Sequence, residues 1–398
     1  MESGVAHHKE RLWNSNYTKV WLANFMTFFS FMLLTPLLPL YLSENFGADK
    51  QTIGIVLSGY TLTALIIRPF SGYLVDSFPR RTVLLISFFL FALMFGGYLL
   101  ATSIVLFAIV RTLHGAPFGA ATVANTTVAI DVLPSSRRAE GIGFYGLSNN
   151  IATAIGPTIA LIVYDFCGDF NTLFWLALLF SFLGFAINYT VRPKCRDCLQ
   201  TPLKPSLDRF ILLKGWSLSF DICCYAFSYS ILATYIAIYG KDELGITGGT
   251  GLFFMLLSIG LILSRLIGSR TLRQGKIIQN ASAGIVISLM GYLLFASLHN
   301  HWGYYGAALV IGLGNGHLFP AFQTMFINLA PNEQRGTANS TFLVSWDVGV
   351  GVGILIGGIV AEHLGYHSAF WAAWLINLAG VGFFFAHTRN HFLRNRIR

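Results

Sequence analysis

Long apolar stretches separated by short polar segments form the dominant pattern along this chain of 398 residues. A helix that crosses a bilayer needs about 20 predominantly apolar residues, and the pattern leaves room for twelve such helices. The predicted spans, numbered 1 to 12, cover residues 20–42, 53–75, 83–101, 104–132, 141–163, 172–191, 215–239, 250–271, 277–298, 303–329, 337–361 and 368–387. The sequence therefore predicts an all-α polytopic membrane protein with twelve transmembrane helices.

The apolar rhythm breaks once, at residues 192–214, where three prolines mix with six basic residues. We predict that this segment is a cytoplasmic linker between an N-terminal half, residues 1–191, and a C-terminal half, residues 215–398. An internal repeat supports the division, because a shift of 196 or 197 residues places landmarks of the first half on the second. These pairs are Gly72 and Gly268, Gly115 and Gly312, Gly119 and Gly316, Pro134 and Pro331, Arg138 and Arg335, and Gly156 and Gly353. The repeat therefore predicts two pseudo-symmetric six-helix halves.

Composition agrees with membrane insertion. Hydrophobic residues make up 55% of the chain and charged residues 11%, against about a quarter charged in soluble domains. The formal charge of +9 is explained by topology, because with both termini in the cytoplasm only Lys50 and Lys241 lie outside. Arg68, Arg111 and Arg265 fall within spans, and the other Lys and Arg face the cytoplasm, as the positive-inside rule expects. A nucleic-acid partner is not needed.

Several classes of chemistry lack their signatures in this sequence. Cys195 and Cys198 form a C-x-x-C in the linker, but without a histidine or a second pair they do not make a zinc site. The chain has no G-x-x-x-x-G-K-[ST] loop for ATP, and no nucleophile motif or added soluble domain. We expect no metal, no cofactor and no enzymatic activity.

The stretch R-P-F-S-G-Y-L-V-D-S-F-P-R-R, residues 68–81, joins spans 2 and 3. Its Gly72, Asp76, Arg80 and Arg81 resemble the loop between helices 2 and 3 of the major facilitator superfamily, although Pro79 stands where a glycine is usual. The resemblance implies that these four residues form a conformational latch between span 2 and the start of span 11 in the outward-facing state. In the second half, Leu272 is expected at the position of the acid.

Three further strings resemble the twelve-helix drug:proton antiporters of that superfamily. They are T-P-L-L-P-L-Y-L in span 1, R-T-L-H-G-A-P-F-G-A-A in span 4, where His114 replaces a usual glutamine, and the Gly156-Pro157 pair in span 5. The resemblance implies proton-coupled efflux of a lipophilic or amphipathic compound, as in multidrug transporters, by a monomer in a bacterial inner membrane. The expected partners are the small-molecule substrate, protons and the lipid bilayer.

Charges inside the membrane are costly, about 3 kcal/mol each at the bilayer centre, so each one suggests a function or a partner. Asp347 in span 11 is our first candidate for the proton carrier, with a static ion pair to span 4 or 10 as the alternative. Asp221 in span 7 is a second candidate, but its shallower position fits an exposed structural role equally well. Arg111, with His114 one turn away, is expected to help expel a bound proton from a nearby acid.

Two other arginines, Arg68 and Arg265, are placed near the inner ends of spans 2 and 8, where long side chains reach the surface at little cost. We interpret both as structural. His317 in span 10 either titrates or only forms hydrogen bonds.

The candidate substrate cavity combines aromatic and amide side chains. The aromatic candidates are Phe28, Tyr145, Tyr225, Tyr229 and Trp346, and the polar ones are Asn24, Asn149, Asn150, Asn315 and His317. The aromatic set favours a lipophilic substrate. The amides leave open a selective transporter of a polar metabolite such as a sugar, and a membrane-integral sensor or enzyme is the distant alternative. The substrate and the direction of transport are not determined by the sequence.

Overall fold

The computed structural model describes residues 11–35, 37–48, 50–193, 206–246 and 250–397. Helices account for nearly all of this part of the chain and follow the predicted spans closely. In order they are Ser15–Leu34 with Leu38–Phe46 (span 1), Lys50–Ser77 (2), Arg80–Leu99 (3), Ile104–Val132 (4), Arg138–Cys167 (5), Phe170–Tyr189 (6), Trp216–Asp242 (7), Thr250–Arg273 (8), Ile277–Ser297 (9), His301–Leu329 (10) and Arg335–Phe383 (11 and 12). A short helix, Leu207–Phe210, lies in the linker, and span 12 continues through a π-helical turn, Phe384–Thr388, into Arg389–Asn395.

Nine stretches of the described residues are long and apolar enough to cross a membrane. One of them, Asn332–Asn395, contains spans 11 and 12, which are separated at Gly365. Gly365 has φ 81° and ψ 163°, a left-handed conformation that glycine adopts without a steric cost. The nine stretches thus account for ten spans. Spans 7 and 10 are not among these stretches, and both carry a buried titratable residue, Asp221 or His317. Both are long helices nevertheless, so the fold is a twelve-helix bundle.

The two halves repeat the same contacts in three dimensions. A Cβ atom on Gly119 of span 4 would lie 2.8 Å from the carbonyl oxygen of Ala64 in span 2. The equivalent glycine of span 10, Gly316, would place its Cβ 3.0 Å from the carbonyl oxygen of Leu261 in span 8. Both pairs are related by a shift of 197 residues, and in both the small residue lets two backbones approach closely.

The shift of 197 residues corrects one pair of landmarks. Spans 2 and 8 are continuous helices, and Ala64 corresponds to Leu261 by this shift, so the same shift applies along the rest of both helices. Gly72 then corresponds to Ser269 and Asp76 to Arg273, and the predicted pairing of Gly72 with Gly268 is wrong by one residue. The contacts agree with this, because Gly72 packs across the halves against Thr337 whereas Gly268 packs within its own half against His317. The acid expected to be replaced by Leu272 is thus replaced by a base.

Burial along spans 5 and 11 shows where the halves meet. No residue from 139 to 150 in span 5, or from 334 to 347 in span 11, is exposed. Beyond these points each helix keeps only one buried stripe, at residues 152, 156 and 160 in span 5 and at 349, 353 and 357 in span 11. The halves therefore close on each other at one end of the bundle and separate at the other. We call the closed end, which carries most Lys and Arg, the basic end, and the open space the cleft.

Candidate functional site

Asp76 closes the basic end by capping span 11 from the opposite half. Its carboxylate accepts hydrogen bonds from the backbone N–H groups of Gly336 at 2.8 Å and Thr337 at 2.7 Å, and from the Thr337 hydroxyl at 2.9 Å. The side chain is buried. A carboxylate at a helix N-terminus interacts favourably with the unpaired N–H groups and the helix dipole. The residue therefore lies where the predicted latch requires it.

A network of charges extends this contact. The guanidinium of Arg80 donates to Asp76 at 3.1 Å and also pairs with Asp131 at the end of span 4. Arg335 of span 11 donates to the same Asp131 at 2.9 Å. Arg81 is not part of the network, because it is exposed and donates to the carbonyl oxygen of Tyr189 within its own half, at 2.9 Å. The network thus links the halves through Asp76, Arg80, Asp131 and Arg335, and the placement of Arg81 in the latch is corrected.

Gly72 provides the space for this contact. A Cβ atom at this position would lie 3.0 Å from the Cα atom of Thr337 and 3.0 Å from the Cβ atom of Ser340. The linker covers the same place, since the Thr337 hydroxyl lies 2.8 Å from the carbonyl oxygen of Arg209, and the N–H of Leu212 donates to Thr341 at 2.9 Å. The linker is therefore part of the closed basic end.

Asp347 of span 11 pairs with Arg68 of span 2, across the interface between the halves. The same guanidinium lies 3.4 Å from the carbonyl oxygen of Leu343, one turn before Asp347. The exposed fraction of the side chain is 21% for Asp347 and 10% for Arg68. The ion pair therefore lies at the bottom of the cleft. The alternative interpretation placed the partner of Asp347 in span 4 or 10, whereas the partner lies in span 2, and Arg68 does not reach the surface as expected.

Arg111 and His114 lie apart from this pair, in an aromatic box inside the N-terminal half. The Arg111 guanidinium carbon is 4.1 Å from the centre of the Tyr60 ring, a cation–π distance. Arg111 also donates to the Tyr98 hydroxyl at 3.2 Å, and that hydroxyl is 2.8 Å from Nδ1 of His114. Within the described residues no carboxylate pairs with Arg111. The acid that its expected role requires is therefore not beside it, and the cation beside Asp347 is Arg68.

Three of the predicted cavity residues form a polar network within the N-terminal half. The Tyr145 hydroxyl donates to the side-chain oxygen of Asn24 at 2.7 Å, and the Asn24 amide bonds to Ser148 at 2.7 Å and to Asn149. Asn125 donates to the Tyr145 hydroxyl at 2.9 Å. Asn24 and Tyr145 are buried, so their polar groups are satisfied internally. The expectation that these two line the cavity is corrected.

The remaining aromatic candidates divide by exposure. Phe28, Tyr229 and Trp346 are partly exposed, and Tyr229 and Trp346 are in ring contact at 5.7 Å. Tyr225 is buried against Phe322, so it does not line the cavity in this conformation. Among the amides, Asn149, Asn150 and Asn315 are partly exposed.

Asp221 is the second membrane acid, and its environment differs from the expected one. The residue is fully buried between spans 7 and 12, close to Thr388 and Tyr225. An exposed structural role is therefore excluded in this conformation. A buried carboxyl group is costly when charged, so this residue stays a candidate for proton binding, away from the interface between the halves.

Arg265 of span 8 is buried at the same interface, on the other side of the cleft. It donates to the carbonyl oxygen of Gly316 at 2.6 Å and lines a cavity with His317, Asn280 and Glu140. His317 is buried too, and its Nδ1 is 2.9 Å from the side-chain oxygen of Asn280. The expectation that Arg265 reaches the surface is corrected, because it crosses the interface toward span 5.

Asp131 and Asn125 are functional candidates that the sequence analysis missed. Asp131 is an acid at the basic end of span 4, beside the Pro134 and Arg138 landmarks, and this position could have suggested it. Asn125 has no comparable signal. Cys195 and Cys198 lie outside the described residues, and within those residues no group of three or more His, Cys, Asp or Glu is arranged to hold a metal ion.

Comparison with known proteins identifies the class. The sequence model of the Major Facilitator Superfamily matches residues 20–349 and 280–396. The chain therefore belongs to this superfamily, and it is a multi-pass integral membrane transporter.

Individual relatives are distant. The multi-drug resistance efflux pump PmrA of Streptococcus pneumoniae is 25% identical over 383 residues, which are 90% of this chain and 92% of the relative. The staphylopine export protein of Staphylococcus aureus is 21% identical over 369 residues, covering 88% and 90%. The crystal structure of the Major Facilitator Superfamily transporter FucP in the outward conformation has a TM-score of 0.77 at 16% identity, covering 93% of this chain and 98% of FucP. This structural likeness shows the fold.

Proposed function

We propose that the protein exports a small amphipathic molecule in exchange for protons, by alternating access. The observation that carries the proposal is the pair between Arg68 and Asp347, which joins the two halves at the bottom of the cleft. Asp347 is a titratable group, so its charge and the contact between the halves depend on each other. Binding of a proton would neutralise the carboxylate and weaken its hold on Arg68.

The side chain of Asp347 is partly exposed to the cleft, so a proton can reach it from there. With the basic end in the cytoplasm, as the distribution of Lys and Arg favours, the conformation described here is outward-facing. A proton then enters from outside through the cleft. Once the pair is broken, the halves are held by the contacts of Asp76 at the basic end, and opening that end exposes the carrier to the cytoplasm.

Direction and setting are supported by the relatives, two of which are named for efflux or export. We infer that the chain acts as a monomer in a bacterial inner membrane with both termini in the cytoplasm. A polar-metabolite transporter is less well supported, because Asn24 and Asn149 bond to each other instead of presenting both amides to the cleft. The partly exposed aromatic residues favour an amphipathic substrate.

The test is transport in proteoliposomes with an imposed pH gradient, using a panel of amphipathic fluorescent compounds. We expect the wild type to accumulate at least one compound against its concentration gradient. Asp347→Asn keeps the shape of the side chain but cannot titrate, so it should lose gradient-driven accumulation and keep exchange of the compound at equal pH. Asp165→Asn, at an exposed position on span 5, is the matched control and should behave like the wild type. Undiminished uphill transport by Asp347→Asn would remove this residue from the mechanism and leave Asp221 as the candidate.

A further inference from the structure

The internal repeat places an arginine at the same position in each half, but only one of the two has an acidic partner. Arg68 and Arg265 are separated by 197 residues, the shift that relates the halves. Arg68 crosses to span 11, where it contacts the Leu343 carbonyl and pairs with Asp347. The residues equivalent to Leu343 and Asp347 in span 5 are Gly146 and Asn150.

Arg265 follows the same path with a different outcome. A Cβ atom on Gly143 would lie 3.5 Å from Nη1 of Arg265, and a Cβ atom on Gly146 would lie 3.4 Å from Nη2. The guanidinium therefore lies across span 5 as that of Arg68 lies across span 11. In the other half, Asp347 supplies the counter-charge to Arg68, and the equivalent position in span 5 holds the neutral Asn150. Among the described residues no carboxylate lies within ion-pair distance of Arg265.

The surroundings do not neutralise this cation. Arg265 bonds to the Gly316 carbonyl at 2.6 Å, and its Nε has no hydrogen-bond partner in the described part of the chain. The acid in the same cavity, Glu140, is held by Arg137 through two hydrogen bonds of 2.8 and 2.9 Å. Burying a charge without a counter-charge costs several kcal/mol, so the site favours an anion.

A small cavity lies beside Arg265, between span 5 of one half and spans 8 to 10 of the other, and it is also lined by Ser264, Asn280 and His317. Its volume is about 10 Å³, which leaves room for at most one water. A carboxylate group therefore reaches Arg265 only when the basic end opens and uncovers this cavity.

We propose that Arg265 is the binding group for a carboxylate of the transported molecule, so that the substrates are amphipathic anions or zwitterions. This inference rests on the proposed export function and specifies its substrate class. The neutral side chain of Asn150 matters for this role, because an acid at that position would form an ion pair with Arg265 as Asp347 does with Arg68. The transport cycle then uses one arginine for the proton-binding acid and the other for the substrate.

The experiment is equilibrium binding, without a pH gradient, to the full-length protein in phosphatidylcholine nanodiscs. The probes are tetramethylrhodamine, which carries a carboxylate, and its methyl ester, which does not. We expect the wild type to bind the carboxylate-bearing dye at least ten times more tightly than the methyl ester. A tenfold ratio in the dissociation constant corresponds to about 1.4 kcal/mol, which is close to the smallest contribution of a hydrogen bond to a charged group. Arg265→Gln should reduce the preference to near one. Arg265→Lys should keep part of it.

Asn150→Asp is the decisive variant, because it leaves Arg265 in place and supplies the missing carboxylate. It should also abolish the preference, even if Arg265→Gln does not fold. Arg270→Gln, which removes an exposed charge from the same helix, is the control and should retain the wild-type preference.

Three results would overturn the inference. The first is a wild type that binds neither dye or binds both equally. The second is a preference that survives in Asn150→Asp or in folded Arg265→Gln. The third is loss of the preference when phosphatidylglycerol replaces part of the lipid, which would assign the site to a lipid headgroup. Loss of gradient-driven transport with an intact preference would count against the proposed function alone.

Discussion

Asp76→Asn is expected to open the basic end. The carboxylate accepts from the backbone N–H groups of Gly336 and Thr337 with different oxygens. Asparagine keeps one oxygen acceptor, but its amide nitrogen then faces an N–H donor, and the negative charge beside Arg80 and the helix N-terminus is lost. A hydrogen bond to a charged group contributes about 1.5–3 kcal/mol.

From these contacts we expect a loss of about 2 kcal/mol from the closed state, since one charge-assisted bond is removed and the others are weakened. At 1.4 kcal/mol per factor of ten, the ratio of closed to open molecules should fall about 30-fold. A population that is almost entirely closed would then contain a measurable open fraction. Transport should slow, because the state with the basic end closed is less occupied.

The assay is double electron–electron resonance between spin labels on exposed residues of the two halves at the basic end. Ser135 and Gln274 are suitable, and both are exposed. The native cysteines must first be replaced, because Cys167 is also exposed. Arg81→Gln is the matched control, since it removes a charge from the same loop at a residue whose side chain bonds within its own half. If Asp76→Asn and Arg81→Gln give the same distance distribution as the wild type, the latch does not hold this end closed.

Three further variants test other parts of the structure. Gly72→Ala should also open the basic end, because its Cβ would meet Thr337 at 3.0 Å, whereas Gly351→Ala, in open space, should not; spin-label distances report both. Arg111→Lys should lower the melting temperature less than Arg111→Ala, because lysine keeps the cation–π contact worth about 1 kcal/mol; equal losses would contradict this. Asn24→Ala should destabilise the fold by about 2 kcal/mol, because it strands buried polar partners, and an unchanged melting temperature would refute it.

The sequence alone determined the number of spans, their approximate bounds, the division into halves and the position of Asp76. These features depend on local patterns. An apolar stretch of about 20 residues forms a membrane helix wherever it lies in the chain, and the repeat preserves its landmarks at a nearly constant shift. The ends of span 4, residues 104 and 132, were predicted without error.

Only the tertiary structure decided which faces of these helices meet. In a bilayer the lipid is as apolar as the core, so an apolar residue does not indicate which side of a helix is buried. Asn24 and Tyr145 turn toward each other within one half, and Arg68 turns toward Asp347 in the other half, because neighbouring helices fix the rotation of each span. For the same reason Arg265 could not be distinguished from Arg68 by local sequence. The tertiary structure is what shows that Arg265 crosses to span 5, next to Gly143 and Gly146, the span in which the repeat places Asn150 at the position equivalent to Asp347.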